Sequence, residues 1–278
     1  MKVTTLGTGN PLPDPARAGA ATLIEAGGQR FLVDCGRGVL MRLAAAGSGM
    51  GQISAVFLTH LHSDHVTDFN DVLTTHWIGQ FAPGVLRVIG PPGTRHFVDA
   101  TIAMLEEDIG WRIGHHEDLT WRPEVEVTEV TDGLALESGA VRVLAAPTEH
   151  KPVHPTVGYR FEHDGTAIVC AGDTIPCAGL DRLCAGADVY VQTVARRSLV
   201  EAIPSPRFQD ILDYHSDLPQ AGATAARGGV GTLVLTHLIP GPPPGTEAEW
   251  AAEAAQHFAG NIVVADDLTV LEAPLRGD

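Results

Sequence analysis

The most informative segment of the sequence is Thr59-His60-Leu61-His62-Ser63-Asp64-His65, in which three imidazoles and one carboxylate lie within six residues. It follows a short apolar run of the kind that predicts a buried strand. Histidines two positions apart on an extended backbone point to the same side, so His60 and His62 can bind one ion. Asp64 and His65 then project toward a neighbouring position as the chain turns. Imidazole nitrogen and carboxylate oxygen suit zinc, and also manganese or iron, so the segment predicts a metal site.

Short apolar runs alternate with turn signals along most of the chain, and this pattern predicts many strands with helices between them. The predicted strands are Met1–Leu6, Ala20–Ala26, Arg30–Asp34, Ala55–Leu58, Leu86–Ile89, Val125–Val130, Val141–Ala146, Val157–Phe161, Ala167–Ala171, Val189–Gln192, Thr232–Thr236, Ile262–Ala265 and Leu268–Leu271. The predicted helices are Gly38–Ala46, Thr94–Ile109, Leu180–Cys184, Leu218–Arg227 and Glu247–Phe258. Such an alternation predicts an α/β fold in which helices cover two sheets within one domain.

The segment from about residue 75 to residue 123 has a different composition. It carries three of the four tryptophans, Trp77, Trp111 and Trp121, together with several prolines. Amphipathic aromatic side chains suit ligand contact, so this segment can be a cap over a site. The tryptophans can equally fill a core, and the sequence does not decide between the two interpretations.

Composition restricts the partners and the location. The chain has 18 basic and 34 acidic side chains, a formal net charge of -16, which argues against a nucleic-acid partner because phosphate backbones are bound by clustered Lys and Arg. Its four cysteines form no CxxC pair, which is typical of reduced thiols in the cytoplasm. No apolar run approaches the ~20 residues that span a bilayer, and no signal peptide is visible. We therefore expect a cytoplasmic protein with no membrane partner, and a homodimer is one option.

Several segments resemble the metallo-β-lactamase superfamily and, within it, the ribonuclease Z-like branch. The segments are Leu6-Gly7-Thr8-Gly9, Phe31-Leu32-Val33-Asp34-Cys35-Gly36, the HxHxDH motif at 60–65, Thr148-Glu149-His150, Gly158-Tyr159-Arg160-Phe161, Ala171-Gly172-Asp173-Thr174 and Leu235-Thr236-His237. The resemblance extends over nearly the whole chain. It implies a four-layer αββα sandwich in a single domain, residues 1–278, with 75–123 as an insertion.

The resemblance also implies a dinuclear metal site. His60, His62 and His150 would hold one ion, Asp64, His65 and His237 would hold the second, and Asp173 would bridge them. In isolation the last three of these positions, His150, Asp173 and His237, would be ordinary residues of strand ends and turns. Each follows an apolar strand, however, where the functional loops of a layered α/β scaffold collect. We expect two divalent ions, zinc first, with manganese or iron as alternatives.

A second motif, His215-Ser216-Asp217, precedes the helix predicted at Leu218–Arg227. It resembles the His-Ser-Thr motif of the same branch, whose histidine acts as an acid or stabilises charge on the transferred group. We predict Asp64 and His215 as the catalytic residues. The alternative is that Ser216 or Asp217 merely caps the helix, and the two roles are compatible.

Two departures from the branch concern catalysis and substrate. Where its members have His-Glu-Ala-Thr, this chain reads Val191-Gln192-Thr193-Val194, and we interpret Gln192 as replacing a glutamate that would orient His215. The tRNA-processing members carry a long arm between two strands, where this chain has only Glu162-His163-Asp164-Gly165. With the acidic charge, this predicts a small-molecule substrate and no tRNA.

These observations predict a metal-dependent hydrolase in which a hydroxide bridging two ions attacks the substrate. A small phosphodiester or sulfate ester is the expected substrate, and a lactone, ester or amide is the alternative. A non-catalytic binding protein is disfavoured because the ligand set is complete. Serine-hydrolase chemistry is not supported, since Ser198 and Ser205 do not lie in a Gly-x-Ser-x-Gly elbow.

Overall fold

Residues 1–243 and 245–273 are described by a computed structural model, in which two seven-stranded sheets pack face to face. The strands are β1 (Lys2–Gly7), β2 (Ala21–Ala26), β3 (Gln29–Val33), β4 (Ile53–Phe57), β5 (Val85–Gly90), β6 (Glu124–Glu129), β7 (Gly133–Ser138), β8 (Val141–Pro147), β9 (Val157–His163), β10 (Thr166–Cys170), β11 (Val189–Ala195), β12 (Thr232–Ile239), β13 (Asn261–Val264) and β14 (Thr269–Glu272). The helices are α1 (Val39–Ala45), α2 (Ser63–Val66), α3 (Phe69–Ile78), α4 (Thr94–Met104), α5 (Glu106–His115), α6 (Ala178–Cys184), α7 (Arg197–Glu201), α8 (Pro206–Gln209), α9 (Leu218–Gly228) and α10 (Glu247–Ala254). Short 3-10 segments lie at Met50–Gln52 and Asp210–Asp213.

The direction of the strands determines where the loops collect. The first sheet has the order β14-β1-β2-β3-β4-β5-β6 and the second the order β13-β12-β11-β10-β9-β8-β7. Strands β3 to β6 are parallel, as are β10 to β13. Strand β8 runs in the same direction as β10, because both are antiparallel to β9. The carboxyl ends of β8, β10 and β12 therefore lie at one edge of the second sheet.

Aromatic side chains fill the layer between the two sheets. Alternate residues of a strand point to opposite faces, so each strand contributes every second side chain to this layer. Phe57 of the first sheet packs against Tyr159 and Phe161 of the second, with ring centroids 5.0 and 5.1 Å apart. Phe31 lies 5.7 Å from Phe161. This central layer holds the sheets at a fixed separation.

Helices cover the outer face of each sheet. Leu43 of α1 and Leu73 of α3 pack on the first sheet, and Leu180, Ala221 and Trp250 of α6, α9 and α10 pack on the second. The structure is thus the four-layer αββα sandwich, in one domain, that the sequence predicted. Among the helices of 1–243 and 245–273, none combines the length and the apolar character needed to cross a membrane.

Most predicted elements are present, but some differ. The helix predicted over Thr94–Ile109 divides at Leu105, and α5 begins with three acidic residues that favour a new helix N-terminus. The helix predicted to reach Phe258 ends at Ala254. Strand β7 was not predicted, because it is an edge strand whose Leu134 is exposed and its alternation is weak.

The tryptophan-rich segment packs on itself. Trp77 is buried, and its indole N–H donates to the backbone carbonyl of Trp121 at 2.9 Å. Ile109 and Leu119 complete this small core, while Trp111 is exposed. The cavity beside the site described below is lined by other segments, and a capping role for 75–123 stays a prediction.

Candidate metal centre

All seven predicted ligands meet at one edge of the sandwich. His60, His62, Asp64 and His65 follow β4, whereas His150 follows β8, Asp173 follows β10, and His237 lies near the end of β12. Their ligand atoms form two groups, His60, His62, His150 and Asp173 in one and Asp64, His65 and His237 in the other, and within each group they lie within 4.8 Å of one another. The resemblance implied the same two sets of three residues with Asp173 bridging them, and here Asp173 groups with the first set. The role of these residues as ligands stays a prediction.

Three imidazole nitrogens converge in the first group. His60 Nε2 and His150 Nε2 lie 3.2 and 3.1 Å from His62 Nδ1. The other nitrogen of His150, Nδ1, donates to the backbone carbonyl of Tyr214 at 2.9 Å. Because a carbonyl can only accept, this hydrogen bond leaves the His150 Nε2 lone pair pointing at the group.

Asp34 and Thr59 orient ligands of both groups. The Asp34 carboxylate accepts hydrogen bonds from the backbone N–H of Thr59 at 2.8 Å, from the Thr59 hydroxyl at 2.9 Å and from Nδ1 of His65 at 2.8 Å. The Thr59 hydroxyl, having donated its proton, can accept from His60 Nδ1 at 3.0 Å. In the neutral rings of His60 and His65 the lone pair is thereby left on Nε2, which is turned toward the site.

The second group contains buried nitrogens that lie opposite carboxylates. His65 Nε2 is buried and receives no hydrogen bond from any described residue, and it faces the carboxylates of Asp173 at 3.3 Å and Asp64 at 3.7 Å. A lone pair opposite two carboxylates is repulsive unless a positive charge lies between them. His237 Nε2 lies 3.0 Å from Asp64 Oδ2, and its buried Nδ1 is likewise unpartnered within residues 1–243 and 245–273. These residues fit a metal ion.

Asp173 lies between the two groups. Its Oδ2 is 3.8 Å from the Nε2 atoms of both His60 and His150, and 3.7 Å from His237 Nε2. Its other oxygen, Oδ1, accepts a hydrogen bond from the Thr193 hydroxyl at 2.8 Å. The carboxylate is thus fixed in a position from which it can contact an ion in either group.

The electrostatics of the site favour neutral imidazoles in the first group and a positive charge among the carboxylates of the second. Burial lowers the pKa of His60 well below its ordinary value and that of His150 to about 4, so both imidazoles offer lone pairs. Burial also opposes a charge on His65, but the carboxylates of Asp173 and Asp34 raise its pKa well above the ordinary value. Although burial acts to raise the pKa of Asp173, the imidazoles of His237 and His65 hold it well below its usual range. The donor set fits divalent ions that accept nitrogen and oxygen ligands.

Gly172 allows the loop carrying Asp173 to approach the first sheet. Its backbone has a φ of +66°, and a Cβ at this position would lie 2.7 Å from Cβ of Thr59. A side chain there would therefore separate Asp173 from the segment that follows β4.

His215 reaches the centre from beside α9. Its Nε2 lies 3.1 Å from Asp173 Oδ2 and its Nδ1 lies 3.0 Å from the carbonyl oxygen of Ile211. The helix is capped by another residue, because Asp217 accepts from the backbone N–H of Gln220 at 2.9 Å. Capping and a role for His215 at the site are therefore separate functions of neighbouring residues.

Our interpretation of Gln192 is wrong. Its carboxamide bonds with the Tyr190 hydroxyl and donates to the carbonyl of Thr193, on the face of β11 that packs against helices. Neighbouring residues of a strand point to opposite faces, and it is Thr193 that faces the metal centre. His215 is instead oriented by the Ile211 carbonyl.

Three contributing residues escaped the sequence analysis, namely Asp34, Thr59 and Thr193. Asp34 lies within one of the segments that carry the family resemblance, but no role was assigned to it. Its position directly after an apolar strand was the available signal. Thr193 could have been assigned by strand alternation once the ends of β11 were known.

A cavity of about 460 Å³ adjoins the metal centre. His62, Asp64, Asp173 and His215 form its floor, and its walls come from residues 10–15, 200–214 and 239–241. A larger depression near the hairpin at Gly27 and Gly28 lies at the opposite end of the strands and contains none of the ligands. The smaller cavity is the one placed to admit a substrate.

A model of the family described as Beta-lactamase superfamily domain matches residues 29–238. The chain therefore belongs to the beta-lactamase superfamily, as the resemblance predicted. Its family and its clustered histidines and aspartates make it a metal-dependent hydrolase.

Close relatives carry a more specific name. A protein of Mycolicibacterium gilvum named Ribonuclease Z is 55% identical over 270 residues, covering 96% of this chain and 94% of the relative. Another of that name, from Mycobacterium bovis, is 54% identical over 278 residues and covers 99% of both chains. The crystal structure of human tRNase Z, short form, has a TM-score of 0.74 at 23% identity, covers 99% of this chain and 100% of the human chain, and shows the same fold.

The prediction of a small-molecule substrate and no tRNA is contradicted by these relatives. The short turn between β9 and β10 misled us, because a relative aligned over 99% of both chains leaves no room for a long inserted arm either. The net charge misled us because it describes the whole surface, whereas RNA contact depends on the charge near the site, where metal ions add positive charge.

Proposed function

We propose that this chain hydrolyses phosphodiester bonds of RNA and that its substrate is a tRNA precursor. The observation that carries the proposal is 54–55% identity, over nearly the full length, to relatives named Ribonuclease Z. The clustered histidines and aspartates support it, because paired divalent ions suit phosphodiester hydrolysis. A lactone, ester or amide substrate has no observation in its favour.

In this proposal each of the two groups of ligands would hold one divalent ion, with the Asp173 carboxylate placed between the groups. When bound, such ions would lower the pKa of water and withdraw charge from phosphoryl oxygens. Asp34 and Thr59 hold the imidazoles of His65 and His60 in the tautomers that ligation needs. Zinc is the expected ion because imidazole and carboxylate donors suit it, and manganese and iron are the alternatives.

We assign His215 the proton-handling role. The Ile211 carbonyl accepts a hydrogen bond from Nδ1 and fixes the ring, so that Nε2 faces the floor of the cavity beside Asp173 and can donate a proton there when the ring is in its imidazolium form. That proton can pass to the leaving oxygen or form a hydrogen bond to a phosphoryl oxygen. We also assign Asp64 a part in the reaction, as a proposed metal ligand whose carboxylate lines the same floor. A cytoplasmic location and a homodimer stay predictions from the sequence.

The proposal is tested with purified protein loaded with zinc or manganese and a tRNA precursor that carries a 3′ trailer. We expect endonucleolytic removal of the trailer by the wild type. His62→Ala should lose this cleavage and at least one bound metal, because three imidazoles converge on that position. His96→Ala is the matched control, since His96 is an exposed residue of α4 outside the site. A fully metal-loaded wild type that leaves RNA intact while hydrolysing aryl phosphodiesters would show that the proposed substrate is wrong.

A further inference from the structure

One wall of the cavity beside the metal centre is apolar and partly aromatic. Phe208, Ile211 and Tyr214 contribute from the segment between β11 and α9, and Leu12 with several prolines contributes from the loop after β1. The floor of the same cavity is the ligand cluster, so whatever contacts this wall lies next to the reacting phosphate. The volume of about 460 Å³ is within the ~300–1,000 Å³ typical of pockets for small organic groups.

The two aromatic rings of this wall, Tyr214 and Phe208, have different neighbours. Tyr214 lies against two residues of the centre, with its ring centroid 5.2 Å from that of His150 and 4.9 Å from that of His215. Phe208 is half-buried in the wall, and the guanidinium carbon of Arg207 lies 5.5 Å from its ring centroid. Arg207 is exposed and forms no ion pair with the residues that the structure describes.

The lining offers no cationic side chain for a second phosphate. Among the described residues that line the cavity there is no lysine or arginine, and Asp14 adds a carboxylate at the wall. Asn10 is already committed, because its amide donates to the Leu238 carbonyl at 2.8 Å and accepts from the backbone N–H of Leu12 at 3.0 Å. The cavity therefore suits a flat, uncharged group that is attached to a phosphate at the floor.

We infer that this cavity binds the unstacked nucleobase of a nucleotide whose phosphate lies at the metal centre. The inference rests on the proposed function and specifies how RNA is held. Sequence-tolerant binding of single-stranded RNA relies on bases that stack on aromatic side chains, with nearby cations for the backbone. Phe208 provides the stacking ring, and Arg207, outside the cavity, is placed for an adjoining phosphate.

The inference is tested by calorimetric binding of adenosine 5′-monophosphate and of ribose 5-phosphate to the metal-loaded protein. The two probes differ only in the base. We expect the nucleotide to bind about 5- to 150-fold more tightly, the gain that one stacked base typically provides. Phe208→Ala should remove most of this advantage and leave the affinity for ribose 5-phosphate unchanged, whereas Phe208→Leu, which keeps apolar volume, should retain part of it. Phe81→Ala is the control, because Phe81 is fully exposed and does not line the cavity.

Equal affinities of the two probes for the wild type would overturn the inference. It would also be overturned if phenyl phosphate gained over ribose 5-phosphate and the nucleotide did not, since the cavity would then accept a small aryl group only. Cleavage of the tRNA precursor without any base advantage would leave the proposed function intact and remove the base site. Tighter binding of the nucleotide without RNA cleavage would support the base site and remove the proposed function.

Discussion

Asp34 shows how a buried residue outside the ligand set can control metal binding. It binds the backbone and hydroxyl of Thr59 and the imidazole of His65 at once. We expect Asp34→Asn to lower metal affinity by about 10–100-fold, because an amide cannot accept the His65 proton as strongly and the tautomer is no longer fixed. Asn tolerates the positive φ of 62° at this position, so the backbone should be preserved.

Competition with a chromophoric chelator measures this affinity. Asp99→Asn is the matched control, because this substitution removes the same charge from an exposed residue of α4. Equal affinities for the wild type and the Asp34 variant would mean that His65 does not depend on this carboxylate.

His215 is predicted to assist the reaction without holding the metal. His215→Ala should lower kcat by ~10²–10⁴-fold, the usual contribution of a positioned acid. Metal content and melting temperature should change little, because Asp217 caps α9 independently. Single-turnover kinetics with metal analysis and a thermal melt of the same preparation separate these effects. An unchanged kcat in a stable, metal-loaded variant would exclude His215 from catalysis.

At the scale of single residues, the sequence predicted a set of ligands that the fold brings together, but not the residues that orient them. The spacing of His60, His62, Asp64 and His65 is local, so it is visible in one segment. Asp34 and Thr193 act on partners that are at least 20 positions away, and such contacts exist only after the sheets have formed. The misassignment of Gln192 has the same origin, since a shift of one position along β11 moves a side chain from the face at the metal centre to the face that packs against helices.

Among the elements, α9 has the best-defined N-terminus. Asp217 accepts from the backbone of Gln220, whose side chain accepts in return at 3.0 Å, and Asp217 also pairs with Arg197 at 2.9 Å. We expect Asp217→Ala to lower the free energy of unfolding by about 1–2 kcal/mol without changing metal content. Urea unfolding provides the measurement.

Thr246 provides the control for this cap. It occupies the corresponding position of α10, but its side chain accepts no hydrogen bond from the helix. Thr246→Ala removes only an exposed hydrogen bond from the Thr246 hydroxyl to the Pro243 carbonyl, at 2.8 Å, and should therefore change stability by less than about 0.5 kcal/mol. Equal losses in the two variants would show that the capping hydrogen bonds of Asp217 contribute nothing specific.

The elements themselves were predictable where burial imposes a regular pattern. Strands β4, β8 and β10 are buried and rich in branched apolar residues, and each was recognised close to its observed ends. Helix α3 was not predicted, although it packs Phe69 and Val72 on the first sheet. The order of strands within each sheet could not be predicted, because it follows from packing between segments far apart in the chain.

On the scale of the whole molecule, the metal centre joins the two sheets. The segment after β4 belongs to the first sheet, while His150, Asp173 and His237 belong to the second. Removing the ions with a chelator should therefore lower the melting temperature, because bound ions stabilise only the assembled sandwich. A stabilisation of roughly 4 kcal/mol is expected at an ion concentration 1,000 times Kd.

Differential scanning calorimetry before and after chelation, and after zinc is restored, tests this expectation. His62→Ala should show a smaller shift on chelation than the wild type, because one group of ligands is incomplete. A melting temperature that is the same with and without ions would mean that the two sheets are held together by their apolar layer alone.

The two ends of the chain meet in the first sheet, where Lys2 pairs with Glu272. Near this junction the Asp267 carboxylate binds the backbone N–H groups of Thr8 and Ala18, at 2.9 and 2.7 Å, and so fixes both ends of the loop that forms part of the cavity wall. The last predicted metal ligand, His237, precedes Asp267 in the chain and is therefore synthesised first. The predicted ligand set is thus complete before this wall can be anchored, and the proposed base-binding cavity is finished only by the segment that follows.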